Sequence, residues 1–446
     1  MKLYYNPIMF NQTLDGVDLK RHIIGTYYLE DPVPAGEEPI DHFSLVQSLA
    51  CEGSTGTWEE VKEHSDEVVK RLSGKIVGYY QIPSSDNVKR AVVQLAFPID
   101  AWQANIPMIL LSVSGNCFAY SKKLRFLDVY FPEDLLKEFQ GPKFGVSGIR
   151  EKLGIPRRPL SLHIIKPKMG MTPKQTAQQV YETALGGVDM AKDDEMTSDV
   201  YNSRMEDRLP AVMDAIDKAK SKTGKEVIYF VSITDEVDKV VEKARRAVKL
   251  GANGLLLAYS AGPSILRVLA EDPDINVPIL LHPSHMLALT PSIAVPVMAK
   301  ICRICGADLM LTPTYWSSIP LVSHEEGIRC AQVKLAPLKH IKKTWPMPAA
   351  GMYPGLVPLL VKEFGQDIVI PAGGGMLGHP MGYEAGARAW QQAIEATMED
   401  VPLEEAAKDK KELRVALEKW GTLKRPEVHW LRAAPKYYPK PLSFNK

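Results

Sequence analysis

The sequence predicts an α/β protein: a small N-terminal α+β domain of ferredoxin-like type, followed by a (β/α)8 TIM barrel. Two observations carry this. From about residue 155, apolar runs of four to seven residues alternate eight times with amphipathic stretches, all within about 250 residues. That is the rhythm of strand–helix units closing a parallel barrel. Residues 1 to about 150 follow a different rhythm, and the Gly/Pro-rich stretch "QGPKFGVSGIREKLGIPRRP" joins the two parts.

In the first part, "IIGTYYLE", "KIVGYYQIP", "VVQLAFP" and "RFLDVYFP" read as strands of a mixed sheet, with helices near 43–51, 57–73 and 133–140. In the second, the strands are "LSLHII" (160–165), "GVDMA" (187–191), "VIYFVSI" (227–233), "GLLLAY" (254–259), "VPILL" (277–281), "ADLML" (307–311), "WPMPAA" (345–350) and "DIVIPA" (367–372). A helix between them is illustrated by "DEVDKVVEKARRAVKLGANG". Val237, Val240 or Val241, Ala244, and Ala247 or Val248 form one stripe there, and Gly251 sits where the helix should end. A doubly wound open sheet is the alternative, but no G-x-G-x-x-G follows an early strand. The expected domains are 1–150, 151–425 with the active site, and a basic, Pro-rich tail at 426–446.

Composition narrows the function classes. The 446 residues are 45% hydrophobic and 24% charged with a net charge of +1, which gives no general attraction to nucleic acid or anionic lipid. The local exception, Lys424 to Lys446, has six Lys/Arg against Glu427 and is rich in Pro and aromatics, as suits a packed strap. The five cysteines lack disulfide-scaffold spacing; Cys302 and Cys305 fall on a helical pattern that reads as core. The N-terminus is too polar for a signal peptide and no apolar stretch approaches membrane-spanning length. A cytoplasmic enzyme acting on a small molecule, with no nucleic acid or membrane partner, is expected.

Barrel chemistry sits at the C-terminal strand ends. The first barrel strand ends in "IIKPKMG", where period two turns Lys166 and Lys168 to the same side. The second ends in Lys192-Asp193-Asp194-Glu195. Read alone this is a solvated charge run. At a strand end, Lys192 and Asp194 share a face, and Glu195 can turn inward as the strand breaks. Two carboxylates suit a hard cation such as Mg2+. A lysine ammonium cannot be a ligand, but its neutral amine can add CO2, and the carbamate would be a third anionic oxygen ligand. Lys192 is expected at the strand end, outside the packed core. "LLHPSH" offers His282 and His285 after the fifth strand. "AGGGMLGHPMG" after the eighth lets the N–H groups around Gly373, Gly374 and Gly375 converge as a phosphate nest.

Together these stretches resemble the ribulose-bisphosphate carboxylase/oxygenase (RuBisCO) large-chain superfamily. The resemblance runs through "EGSTGTW" (52–58), "SGNCF" (114–118), "GPKFGVSGIREKLG" (141–154), "IIKPKMG", "GGVDMAKDDE" and "AGGGMLGHPMG". It implies a homodimer or a multiple of dimers, with Mg2+ held by carbamylated Lys192, Asp194 and Glu195. It also implies Lys166 as proton-abstracting base, Lys168 as electrostatic helper and His282 at the end of the fifth strand. Gly351, Gly373 and Gly374 would hold substrate phosphate, and Glu52, Thr57 and Asn116 would reach in from the other subunit.

The departures bear on function. Where carboxylases carry a mobile-loop lysine after the sixth strand, this chain has "LTPTYWSSIP", with Ser318 at the matching position and bulky Tyr315 and Trp316 nearby. Pro283 replaces the arginine after the fifth-strand histidine, and Ala349 replaces the serine of the seventh strand's Ser-Gly-Gly. The implied protein is a RuBisCO-like (form IV) enzyme that does not fix CO2 on ribulose bisphosphate. It would form a metal-stabilised enediolate from a phosphorylated keto-sugar or keto-sugar acid, as an isomerase or decarboxylase. One alternative is the 2,3-diketo-5-methylthiopentyl-1-phosphate enolase of methionine salvage. That enolase takes its base from an N-domain lysine where this chain has Asn116, and lacks the second lysine kept here as Lys168. The other alternative is a catalytically silent assembly or regulatory protein.

Overall fold

The computed structural model describes residues 12–32, 42–57, 59, 61–83, 87–121, 123–318 and 322–423. The basic tail expected at 426–446, and the Trp of "EGSTGTW", lie outside them. The chain forms two compact units. One comprises the residues up to Gln140 with Ala288–Cys305 and Leu338–Ile341; the other comprises the remainder.

The first unit carries four strands, β1 (His22–Pro32), β2 (Lys75–Ile82), β3 (Val88–Pro98) and β4 (Lys123–Tyr130), in the order β2-β3-β1-β4. The mixed sheet expected from sequence is corrected: every pairing among these strands is antiparallel. Only residues 83–87 separate β2 from β3, too few for the crossover that a parallel pair needs. The helix expected over 57–73 is confined to Asp66–Leu72, where Ser65 accepts the backbone N–H of Val68 as N-cap. Helix Val295–Ile304 buries Cys302, with Cys305 at its C-cap; both are free thiols in the core, as their spacing implied.

The second unit contains the eight parallel strands: β5 (Leu160–Ile164), β6 (Met190–Lys192), β7 (Ile228–Ser232), β8 (Gly254–Ala258), β9 (Ile279–His282), β10 (Leu309–Thr312), β11 (Trp345–Pro348) and β12 (Val369–Ala372). They are ordered β11-β10-β9-β8-β7-β6-β5-β12, and β11 runs alongside β12 to close the ring. Period-two alternation decides which side chains fill the interior. Leu160 and Leu162, Met190, Ile228 and Phe230, Leu256, Leu280, Leu309, Trp345 and Met347 form one buried cluster, joined by Val146 and Ile149 of helix Gly145–Leu153.

The same alternation aims the chemistry. Met190 lies inside, so Lys192, two residues on, faces inward at the upper end of β6, level with Phe230 of β7. The intervening residues face the helices. His163 of β5 is fully buried, with one ring nitrogen 3.1 Å from Gln179 Oε1 and the other 3.0 Å from Thr183 Oγ1, both on helix Pro173–Leu185. Among the described residues, no helix is long and apolar enough to cross a membrane.

Candidate active site

The C-terminal strand ends surround a cavity of about 590 Å3. The structure brings Lys166, Lys168, Glu195, His282, Gly351, Gly373 and Gly374 together on its walls, each a residue singled out from sequence. Lys192 and Asp194 lie beneath, with no solvent exposure. This corrects the expectation that Lys192 stands outside the packed core. β6 is only three residues long, and its last inward side chain remains between its neighbours.

The charges are interlocked. Lys166 Nζ pairs with Asp194 Oδ2, Lys168 Nζ with Glu195 Oε1 at 3.1 Å, and Lys192 Nζ stands 3.8 Å from Glu195 Oε2. Burial lowers the Lys192 ammonium to about 8, against the pull of Glu195 and Asp194. Burial works against the charge of Lys168 as well, but Glu195 and Asp194 outweigh it and raise its pKa. Glu195 is likewise opposed by burial, yet Lys192 and Lys168 hold its carboxyl below the usual range.

His282 ends β9. The backbone N–H of Ser284 donates to its Nδ1 at 3.3 Å, with the Ser284 hydroxyl 2.6 Å from the same nitrogen. A backbone N–H can only donate, so Nδ1 is the acceptor and the neutral ring carries its proton on Nε2, 3.3 Å from Glu195 Oε2. Burial, then the Lys192 charge, keep this imidazole well below its ordinary pKa. Ser284 was not recognised from sequence, although its place two residues after a strand-end histidine was a usable signal.

The glycines are there for close approach. Gly351 has φ +75, and a Cβ on it would lie 2.5 Å from Ser318 Oγ. A Cβ on Gly375 would stand 1.9 Å from the carbonyl oxygen of Met352, so only glycine lets the loops after β11 and β12 touch. Gly374 and Gly375 open the turn Gly374–Leu377, leaving their N–H groups without acceptors inside the turn.

The loop after β10 contributes Ser317 and Ser318, and Ser318 N–H donates to the Ala350 carbonyl at 3.1 Å. Trp316 turns away instead. It is 1% exposed within a core that includes Leu356 and Leu360, and its indole N–H bonds Glu363, which also pairs with His324. Pro283, Leu287, Leu311, Pro313 and Ala349 make the cavity wall over β9 to β11 apolar. Glu52, Thr57 and Asn116 belong to the N-terminal unit, where Glu52 accepts a 2.8 Å hydrogen bond from the Tyr120 hydroxyl.

Among the described residues, no group of three or more His, Cys, Asp or Glu side chains is arranged to hold a metal ion. The two carboxylates, Asp194 and Glu195, gain a third anionic donor only if Lys192 is carbamylated. The surroundings fit that change. Three ammoniums against two carboxylates leave one net positive charge. Exchanging the Lys192 ammonium for a carbamate and adding Mg2+ leaves the same net charge. Ser232, on the inner face of β7 beside β6, also has a buried hydroxyl without a hydrogen-bond partner.

Comparison with known proteins agrees with this architecture. Residues 15–135 match the model of the ribulose bisphosphate carboxylase large chain N-terminal domain, and residues 145–320 and 321–420 match that of its catalytic domain. A ribulose bisphosphate carboxylase-like protein of Archaeoglobus fulgidus is 39% identical over 398 residues, covering 86% of this chain and 90% of that protein. A 2,3-diketo-5-methylthiopentyl-1-phosphate enolase of Geobacillus kaustophilus is 32% identical over 415 residues, covering 90% and 98%. The crystal structure of the octameric RuBisCO of Pyrococcus horikoshii superposes with a TM-score of 0.85 at 31% identity, covering 94% of this chain and 99% of that one. With both domain models matched in order and the strand-end lysines and carboxylates gathered at one cavity, this chain belongs to the RuBisCO large-chain family.

Proposed function

We propose that the chain is a Mg2+-dependent enzyme that forms an enediolate from a phosphorylated keto-sugar or keto-sugar acid, as an isomerase or decarboxylase, and does not carboxylate ribulose bisphosphate. The observation that carries this reading is the pairing of Lys166 with Asp194 beside Lys168 and Glu195, in a cavity that also contains the glycine nest. Carbamylated Lys192, Asp194 and Glu195 would hold the ion. Mg2+, when bound, supplies a Lewis acid that withdraws charge from adjacent carbonyl and hydroxyl oxygens.

The chain's own groups supply the rest. Lys166, once its ammonium has given a proton to solvent, takes the proton from the carbon next to the carbonyl, and Lys168 stabilises the negative charge that remains. His282, neutral with its proton on Nε2, donates a hydrogen bond without competing as a base. The N–H groups at Gly373 and Gly374, with Gly351 opposite and Gly375 beside them, bind the phosphate and hold the substrate in register. Glu52, Thr57 and Asn116 remain proposed contributors from a second subunit of a homodimer.

The apolar wall over β9 to β11 favours a second reading. Pro283, Leu287 and Leu311 offer no charge to a second phosphate but suit an apolar substituent. An enolase acting on a monophosphate with an apolar end, as the name of the Geobacillus relative describes, fits that wall. The two readings share the metal and the phosphate end and differ in what the far end carries. A screen of phosphorylated keto-sugars, keto-sugar acids and diketo monophosphates, with Mg2+ and bicarbonate, tests both by solvent deuterium uptake and CO2 release. Silence across the whole panel would remove the enolisation reading.

A further inference from the structure

Helix Lys411–Trp420 lies beyond the last barrel unit, and nothing in the motifs above draws attention to it. Its final residue, Trp420, nevertheless lines the cavity together with Tyr353 and the Gly373–Gly375 stretch. The placement is firmly held. Leu413 and Ala416 of the helix are fully buried, and the Leu413 N–H bonds Gln392 Oε1 at 2.9 Å. Lys419 Nζ donates to the Gly378 carbonyl at 2.5 Å, gripping the end of the turn that starts at Gly374, and sits 5.1 Å from the Trp420 ring centroid. On the other side, the Gly421 carbonyl oxygen approaches to 2.0 Å of where a Cβ on Gly355 would stand.

Of the other described indoles of the barrel unit, Trp316 bonds Glu363 and Trp390 bonds the Gly375 carbonyl, while the Trp345 N–H is buried in the barrel core without a partner, away from the cavity. Among the described residues, the Trp420 indole N–H makes no hydrogen bond. A rigid aromatic face with an open donor, set beside a phosphate nest, loses little entropy on engaging a ligand.

We propose that Trp420 is a substrate-contacting, specificity-determining residue, whose indole covers the carbon skeleton next to the phosphate held at the Gly373–Gly375 nest. The inference rests on the phosphate nest of the preceding reading. It extends that reading to ligand class: a phosphate monoester on a short carbon chain is favoured over bare phosphate.

The test titrates inorganic phosphate and dihydroxyacetone phosphate into the full chain and into Trp420→Phe and Trp420→Ala. Calorimetry gives the affinities, indole fluorescence reports the contact, and circular dichroism verifies the fold. The monoester should bind the native chain with a fluorescence change that Trp420→Phe abolishes. Its affinity should fall about three- to tenfold in Trp420→Ala, the scale of a lost aromatic contact, while inorganic phosphate changes less than twofold. Trp420→Phe keeps a ring in place, so it reads the contact even if the alanine variant folds poorly. Unchanged monoester affinity and a persisting fluorescence change in the phenylalanine variant would overturn the role of Trp420 and leave the nest intact. Failure of the native chain to bind either probe would instead overturn the nest itself.

Discussion

Asp193 and Arg208 form a salt bridge of 2.9 Å in which neither side chain is exposed to solvent. Asp193 also accepts the Tyr229 hydroxyl at 2.5 Å and the Ser232 N–H at 2.9 Å. The second residue of the Lys-Asp-Asp-Glu run is thus tied outward, and its neighbours Lys192 and Asp194 are left facing the barrel interior. The pair acts on the proposed metal site by orientation, without entering the cavity.

Asp193→Ala should therefore be strongly destabilising. It strands the buried Arg208 guanidinium, whose charge burial opposes and the Asp193 carboxylate offsets. Breaking one partner of a buried pair costs about 3–5 kcal/mol. Denaturant unfolding of the variant measures this directly. A loss below about 1 kcal/mol, the range of exposed pairs, would show that the site is not held by this bridge.

What could be read in the sequence and what could not divides along a physical line. Period two alone places Lys192 with Asp194 and Lys166 with Lys168, because alternation is a property of each strand. Arg208 as the partner of Asp193 was not legible, since it depends on how a helix lies against two strands. Trp316 illustrates the same limit: the loop's bulk was visible, but not that its indole finds Glu363 on another helix while the small Ser317 and Ser318 face the cavity. Trp420 gave no signal at all, because it follows the last strand by almost fifty residues.

Lys166→Met should stop solvent deuterium exchange into the true substrate while leaving phosphate-dependent binding within a fewfold of native, because the nest is formed by backbone. Asn116→Ala should do less, as an amide orients a hydroxyl but cannot take its proton. Native exchange rates in Lys166→Met would move the base elsewhere. Loss of CO2, which needs no initial deprotonation, would then become the leading reaction.

Ribulose 1,5-bisphosphate should not be carboxylated. Ser318, Pro283 and Ala349 line the cavity, at the positions that the family resemblance matches to a lysine, an arginine and a serine of carboxylases. Losing a single well-aimed electrostatic contact costs about 3–4 kcal/mol of transition-state stabilisation. Labelled bicarbonate should stay out of phosphoglycerate; its incorporation at a rate above the uncatalysed background contradicts this.

His163 predicts a pH dependence of stability. Burial depresses its pKa from 6.5 to about 4, with the Gln179 hydrogen bond only partly opposing. Between those values the unfolded chain binds a proton that the native chain refuses. The stabilisation is complete above about pH 6.5 and lost as pH falls through about 4, a change on the order of 3 kcal/mol. Urea midpoints measured across that window should fall with acidity, and the fall should be shallower in His163→Gln. An equal slope in the variant would assign the effect to other groups.

Lys192→Met is the sharpest test of the metal assignment, because it separates folding from ion binding. Lys192 is fully buried, and its amine donates to the Asp193 carbonyl at 2.8 Å. Methionine has nearly the same length, leaves no void and removes a charge that burial penalises, so the variant should unfold close to the native midpoint. Binding only to the native state stabilises by RT ln(1 + [L]/Kd), about 2.7 kcal/mol at a hundredfold excess over Kd. If carbamylated Lys192 holds the ion, Mg2+ with bicarbonate should raise the native melting temperature by several degrees. Mg2+ in buffer stripped of CO2 should raise it much less, and the methionine variant should respond to neither. An equal Mg2+ shift with and without CO2 would leave Asp194 and Glu195 as sufficient ligands and exclude the carbamate. An equal shift in Lys192→Met would take Lys192 out of the metal site altogether.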